Sequence, residues 1–407
     1  MGSTGADVTL GDGRAGRGTG LAMRYTVRLV SCFLAAAFVL GQPPAPAQSA
    51  ASSGAPVPPR TISTLVRGHP TVVQFVRPLA DRDDRTIINE AVRLIKSVPP
   101  GGAIRLSMFT LTRLQVSRAL IAADDRGVDV KVTLAGHNTS FKAARVLIRA
   151  LGRNVVVCQL GCISSSRFGL AHSKFMTLSS ARTPAGAHRR SVVWVSSANF
   201  STPSERRSEN AVTTYADRGA YLALNRVFSL AFRQVHFPGN DFYTGRPPSF
   251  WVGYSGLRGF HSPEQQTDLW YHRLKWVHPG PGCTMRVQTS TWRTSRMVVA
   301  QLLVEKARAG CYVRVGVSRI DPDVLATLKA GGVPVRRTAG AHHKFAVVHA
   351  RYAGSTSHRN LTWAGSQNLT TGGNYYQDEI IVRVSSEAVA RAFMSEFNLL
   401  QTRGVRL

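Results

Sequence analysis

The sequence predicts an α/β protein of two pseudo-twofold-related halves, each a mostly parallel or mixed β-sheet flanked by helices, fused into one bilobal unit. The prediction rests on a duplicated strand–helix–glycine–strand pattern, a duplicated pair of polar motifs downstream of it, and near-equal motif spacing in the two copies. In the first copy an alternating run at 104–108 leads into a helical pattern at 113–125, a glycine at 127 and a β-branched run at 128–132. In the second, a run at 285–289 leads into a helical pattern at 295–307, Gly310 and a run at 312–315. Glycine suits the left-handed stop after a helix, and strand–helix–strand with such a stop reads as a βαβ unit feeding parallel pairing. A further glycine-led strand follows in each copy, at 152–157 and 332–335. Each copy is preceded by a matching tetrapeptide, Phe75-Val76-Arg77-Pro78 and Phe260-His261-Ser262-Pro263.

These repeats place the halves at 61–240 and 256–407, with a linker at 241–255, a Pro- and Ser-rich linker at 48–60 and an N-terminal extension plus signal peptide at 1–47. Within the N-terminal segment Arg24 and Arg28 precede an apolar run at 29–40, too short to span a bilayer, and Ala45-Pro46-Ala47 offers an A-x-A cleavage site. Met23 reads as a natural start, and an uncleaved anchor is the competing reading. The expectation is a secreted protein. Around the junction, 241–282 is rich in aromatics: Phe242, Tyr243, Phe250, Trp251, Tyr254, Phe260, Trp270, Tyr271 and Trp276. It reads as packing between the halves or as a loop touching substrate.

Cleavage removes Cys32 and leaves Cys158, Cys162, Cys283 and Cys311, an even number that suits disulfides in an oxidising compartment. Three pairings exist; Cys158–Cys162 with Cys283–Cys311 is favoured. Cys283 precedes one expected strand and Cys311 begins its parallel neighbour. Zinc at Cys158-x-x-x-Cys162 lacks a second ligand pair. No metal or cofactor is expected.

The formal net charge is +29, and beyond residue 50 there remain 47 basic against 20 acidic residues, +27. Such a surplus points to an anionic partner, nucleic acid or an acidic membrane surface, although it also serves solubility.

The chemistry-bearing motifs are Ala171-His172-Ser173-Lys174-Phe175 and Ala341-His342-His343-Lys344-Phe345, followed by Ser196-Ser197-Ala198-Asn199 and Gly365-Ser366-Gln367-Asn368. The His-to-Ser spacing is 25 residues in the first half and 24 in the second. Eleven residues beyond each Asn stand Asn210 and Glu379. On a strand, His and Lys two apart share a face. Imidazole serves as nucleophile, acid or base near neutral pH, ammonium supplies fixed positive charge for phosphoryl oxygens, and Ser and Asn add neutral donors. Two such sets facing each other place an acid opposite a nucleophile around one phosphodiester.

With this doubled H-x-K and S-x-N pattern the chain resembles the phospholipase D superfamily, from about Phe75 to the C-terminus. The resemblance implies a metal-independent phosphodiesterase with a phosphohistidine intermediate. His172 would attack phosphorus; His342 would protonate the leaving oxygen and then activate water or another alcohol. Lys174, Lys344, Ser197, Ser366, Asn199 and Asn368 would hold the non-bridging oxygens, and Glu379 would orient a histidine, with Asn210 as its first-half counterpart. The sequence departs from the family pattern at Ser179 and His349, where Asp is usual, and at Ser196, where Gly is usual. His137, His188, His236, His261, His272 and His358 have no matched partner and read as surface or packing residues, as do Arg206-Arg207 and Arg189-Arg190 as solvated charge. Between the second glycine-led strand and H-x-K the first half carries ten extra residues, including Cys158 and Cys162, which predicts a disulfide-pinned loop leaning over the first motif.

The expected substrate is an anionic phosphodiester. A phospholipid headgroup bond is preferred, with peripheral membrane contact and either hydrolysis or transphosphatidylation. Alternatives are an exported nuclease and a non-catalytic phosphate-binding module. No obligate protein partner is implied.

Overall fold

The structure is a computed structural model that describes residues 57–78, 82–237, 257–263 and 267–407. The expected signal segment and the aromatic residues Phe242 to Tyr254 lie outside the described residues. In the first half the elements are β1 (Thr61–Val66), β2 (His69–Val76), α1 (Thr86–Lys96), β3 (Ala103–Met108), α2 (Leu114–Asp125), β4 (Asp129–Ala135), α3 (Lys142–Leu151), β5 (Val155–Cys158), β6 (Leu170–Ala171), β7 (Phe175–Arg182), β8 (His188–Ser196), α4 (Thr202–Glu205), β9 (Glu209–Thr214) and α5 (Arg218–Phe232). The second half contributes β10 (Leu257–Ser262), α6 (Leu269–Leu274), β11 (Val277–His278), β12 (Thr284–Trp292), α7 (Met297–Arg308), β13 (Tyr312–Ile320), α8 (Pro322–Ala330), β14 (Val335–Arg337), β15 (Phe345–Tyr352), β16 (His358–Gly365), β17 (Gln377–Ser385), α9 (Glu387–Arg403) and β18 (Val405–Arg406).

The first sheet runs β1-β2-β9-β8-β7-β3-β4-β5 and the second β10-β17-β16-β15-β12-β13-β14-β18. From β2 to β5 and from β10 to β14 the two orders are the same, strand for strand. In each, three strands joined through helices pair in parallel, β3-β4-β5 and β12-β13-β14, and the remaining pairs are antiparallel. This is the mixed α/β duplication that the sequence pattern predicts. The strand register shifts one detail: Val76 and Ser262 both stand opposite a glutamate of the next strand, Glu209 and Glu379, so His261, not Phe260, is the counterpart of Phe75.

Central strands are apolar on both faces because both faces are covered. One core packs α1, α2 and α3 on the first sheet through Ile87, Leu94, Leu120 and Leu147. A second lies around α7 and α8 through Leu303, Val324 and Leu328. The third joins the halves: Phe75, Phe175, Val212 and Phe228 meet Phe345, Ile380, Phe393 and Phe397 in one cluster. The Phe75, Phe345 and Phe393 rings meet edge to face with centroids 5.1 Å apart in two of these pairs. Phe260 and Trp270, from the aromatic junction, are buried in the second-half core, whereas Trp276 is 43% exposed.

The structure closes Cys158–Cys162 and Cys283–Cys311 as disulfides, the latter joining the start of β12 to the start of its parallel neighbour β13. The short Cys158–Cys162 loop leans on the other half. Asp378 accepts the backbone N–H groups of Cys162, Ile163 (3.1 Å) and Ser164 (2.8 Å). Burial raises the Asp378 carboxyl to about 7, against the pull of those three donors.

Candidate active site

The H-x-K segments sit just before β7 and β15, and the S-x-N segments just after β8 and β16, so antiparallel pairing brings each His near its own Ser. The carboxylates come from the opposite half. His172 Nδ1 lies 2.7 Å from Glu379 Oε1, and His342 Nδ1 lies 2.7 Å from Glu209 Oε1. The backbone repeats the exchange: His172 N–H donates to Asp378 O at 3.0 Å, and His342 N–H to Ser208 O at 2.9 Å. Each glutamate also accepts its own half's serine hydroxyl, Ser197 to Glu209 at 2.6 Å and Ser366 to Glu379. Each serine hydroxyl in turn accepts a backbone N–H at 3.0 Å, from Asn210 and Ile380. The reciprocal exchange of glutamates brings the two motifs into one site.

Glu209, not Asn210, is therefore the first-half counterpart of Glu379. Successive strand residues face opposite ways, so a shift of one residue changes the face. Asn210 points to the buried side, where its Nδ2 lies 3.0 Å from Nδ1 of His343. His343 continues that layer to Glu396 (3.3 Å), which also receives Arg77 Nε at 2.5 Å. On the other half Ser173 Oγ meets His261 Nε2 at 3.2 Å.

Lys174 and Lys344 are wholly buried, and each Nζ donates to its own His carbonyl at 2.6 Å. Lys344 Nζ also lies against the His342 ring, 3.0 Å from Nδ1 and 3.1 Å from Nε2. Asn199 and Asn368 are half-buried beside the site with their Oδ1 atoms unpaired. The departures are absorbed locally. Ser196 Oγ donates to Asn210 O at 2.7 Å, whereas a Cβ at Gly365 would meet Ile380 O at 2.0 Å, so the second half has no room for a side chain. Ser179 accepts from Ala103 N–H, and His349 pairs with Asn360 Oδ1 at 2.8 Å, so neither stands in for a carboxylate at the histidines.

Burial holds both imidazoles neutral. It lowers His172 and His342 to about 4, with the paired glutamates pulling upward and the lysines downward. Burial also lowers Lys174 to about 7 and Lys344 to about 8. Burial opposes ionisation of Glu209, but His342, Lys344 and Ser197 win and hold it at about 2. Glu379 is likewise lowered, by His172, Lys174 and Ser366 against its burial. With Nδ1–H committed to a carboxylate, each Nε2 is left as a lone pair, the form a nucleophile or base requires, and that of His342 faces Lys344 Nζ. Beyond burial, the Lys344 charge lowers Lys174 further, and Arg207 and Arg319 lower Lys344 further.

Around the histidines the halves differ. The Phe109 ring stands 4.6 Å from both His172 and His137, centroid to centroid, and Thr110 Oγ1 bonds His137 Nε2 at 3.0 Å. His342 instead opens on a cavity of about 230 Å³ lined by Arg207, Ser290, Ser318 and Arg319. His137 and Arg207 are exposed, as their reading as surface residues expects, yet they border the site; the position of Arg207 between Asn199 and Asn210 signals this, whereas no local spacing signals His137.

A family model described as "Cardiolipin synthase, PLD-like domain" matches residues 94–231 and 283–400, together more than half of the chain. No curated protein matches. Among solved structures, phosphatidylserine synthase of Haemophilus influenzae Rd KW20 is similar with a TM-score of 0.53 at 11% identity, over 85% of this chain and 89% of that one. Polyphosphate kinase of Porphyromonas gingivalis is similar with a TM-score of 0.53 at 13% identity, over 81% of this chain, which spans 50% of the kinase. Yeast tyrosyl-DNA phosphodiesterase aligns with a TM-score of 0.46 at 12% identity, over 78% and 89%. At these identities the structures show a shared fold, while the doubled family match is carried by the same segments that hold both histidines: the chain belongs to the phospholipase D-like superfamily of enzymes acting on phosphodiesters.

Proposed function

We propose that the protein is an exported phospholipase D-like phosphodiesterase that cleaves phospholipid headgroup bonds through a phosphohistidine on His172. The reciprocal His172–Glu379 and His342–Glu209 pairs carry the reading, because they arm two imidazoles within one buried, lysine-flanked site. His172 is the attacking ring, since Lys344 Nζ already lies against the His342 ring, 3.0 Å from Nδ1 and 3.1 Å from Nε2. A diester anion between Lys174 and Lys344 offsets the burial that keeps His342 neutral, and His342 then takes up a proton. His172 Nε2 forms a bond to phosphorus, the headgroup oxygen leaves with the proton from His342, and His342 becomes the base. Water or a second alcohol gives its proton to His342 as its oxygen displaces His172 from phosphorus. Preorganised charge of this kind is usually the largest contribution to such rates.

Lipid is favoured by the family description as a cardiolipin synthase and by the fold shared nearly end to end with a phosphatidylserine synthase. The A-x-A site after a short apolar run and the two disulfides support export. The test offers purified protein, with EDTA present, phospholipid vesicles and separately plasmid DNA. Headgroup release that disappears in His172→Ala and His342→Ala by several orders of magnitude is expected. Nicked plasmid without headgroup release replaces lipid by nucleic acid, and a histidine variant within tenfold of wild type ends the two-histidine mechanism.

A further inference from the structure

The two sheets allow the surroundings of the two histidines to be compared position by position. Ser107 of β3 stands opposite Phe175 and Thr133, and Gln288 of β12 stands opposite Phe345 and Gly316. Two residues further along the first of these strands, Phe109 in one half corresponds to Ser290 in the other. Three residues further along the neighbouring strand, Gly136 corresponds to Arg319. The repeat has thus been differentiated: an aromatic ring lies against His172, and a hydroxyl and a guanidinium lie beside His342.

Arg207 comes to the same cavity from the first half, between α4 and β9. Its neighbour Arg206 is committed to Asp83 at 2.7 Å, and Arg319 reaches Thr291 Oγ1 at 3.2 Å. Arg207 makes no hydrogen bond or ion pair with any described residue. No described carboxylate lines the cavity. The one close by, Glu209, is engaged by His342 and Ser197. Both guanidiniums also act on Lys344, holding its pKa down together with its burial. Like charges brought together around a concave, hydroxyl-lined space are relieved by an anion, and guanidinium binds phosphate or carboxylate bidentately.

We propose that this cavity is the leaving-group subsite and that it selects a headgroup alcohol carrying its own negative charge, such as a phosphorylated glycerol, over a cationic one such as choline. The inference rests on the lipid reading above and on His342 as the acid, since the group that His342 protonates must sit beside it. Its volume of about 230 Å³ suits a small headgroup. The aromatic side at His172 is left for the retained phosphatidyl portion.

Dihexanoyl phosphatidylglycerophosphate and dihexanoyl phosphatidylcholine, both presented as monomers, test this without a membrane surface to attract the basic protein. The first should be cleaved with at least tenfold higher kcat/KM. Arg207→Gln and Arg319→Gln should each lower the ratio of the two kcat/KM values about tenfold, the scale of one lost charge-assisted contact, and Arg207→Lys should restore part of it. Both side chains are exposed, so the variants should fold, which circular dichroism checks. Equal kcat/KM for the two lipids, or a ratio unchanged in both glutamine variants, overturns the subsite while leaving the lipid phosphodiesterase standing. Cleavage of an oligonucleotide with neither lipid touched overturns the lipid reading itself, and this inference with it.

Discussion

Replacing Glu209 by Gln removes the carboxylate that His342 leans on while keeping its shape. In the native site Oε1 faces His342 Nδ1 at 2.7 Å and also accepts Ser204 Oγ at 3.1 Å, while Oε2 accepts Ser197 Oγ at 2.6 Å. An amide has one acceptor oxygen in place of two. Either His342 or Ser197 then faces an NH2 group, and the ring loses its fixed tautomer or the serine turns away. A hydrogen bond to a charged group contributes about 1.5–3 kcal/mol, so kcat/KM should fall roughly 10- to 150-fold. The Glu209 charge raises the His342 pKa against burial, so its loss lowers that pKa further. The limb of the pH–rate profile that reports His342 therefore moves to lower pH. Hydrolysis of bis(p-nitrophenyl) phosphate measures both effects. Asn210→Ala, one residue away, removes a partner of the buried His343 and should cost stability more than rate. The reasoning fails if Glu209→Gln stays within twofold of wild type, or if Asn210→Ala loses more activity than Glu209→Gln.

Stability should fall on acidification from pH 7 to 4.5. Burial holds His172, His261 and His342 at about 4, so the unfolded chain binds protons first as pH drops below about 6.5. Each histidine thus contributes stability above that pH which is lost as pH falls toward 4, up to roughly 3 kcal/mol apiece. Asp378, raised to about 7, acts in the opposite sense because the folded state holds its proton, and it offsets part of the loss. A urea midpoint higher at pH 4.5 than at pH 7 contradicts this. Arg77→Met should destabilise by about 3–5 kcal/mol by leaving Glu396 uncompensated in the core, and Arg77→Met with Glu396→Leu should recover much of it; a double variant no better than the single one refutes that account. Replacing Cys283 and Cys311, 28 residues apart, by Ser should cost about 3–4 kcal/mol in urea unfolding, and no change in midpoint would show that the bridge contributes nothing.

How much of this site was legible follows from which contacts are local. His172 and Lys174, or His342 and Lys344, share a face because a strand repeats every two residues, and each serine lies across one hairpin. Short-range pattern reveals all of these, and the duplication doubles the signal. The glutamates are different. Their partners are 207 and 133 residues away, and no periodicity carries that distance. A fixed offset of 11 from each Asn reaches Glu379 in one half but Asn210 in the other, because Ser197 to Glu209 is 12 residues and Ser366 to Glu379 is 13. The strand register corrects the offset, since Ser196 pairs with Ala211 and Gly365 with Ile381. One residue of slack in a loop thus reversed the face assigned to a side chain.

The same parity explains the layer behind the site. The residue between His and Lys in each motif must point away from substrate, and at position 343 it is a histidine packed on Asn210 and Glu396. That layer ties the halves together from below, while the exchanged glutamates, themselves buried, tie them beside His172 and His342. Among the described residues, the carboxylates bonded to His172 and His342 each come from the opposite half. Each motif is therefore armed only when the other half is docked, and the large shared core of Phe75, Phe345 and Phe393 is what keeps it docked. Fusion of two copies in one chain makes that docking intramolecular, and it leaves each copy free to diverge at the rim. Phe109 and Gly136 on one side, and Ser290 and Arg319 on the other, are what such divergence would produce once the two histidines take different roles.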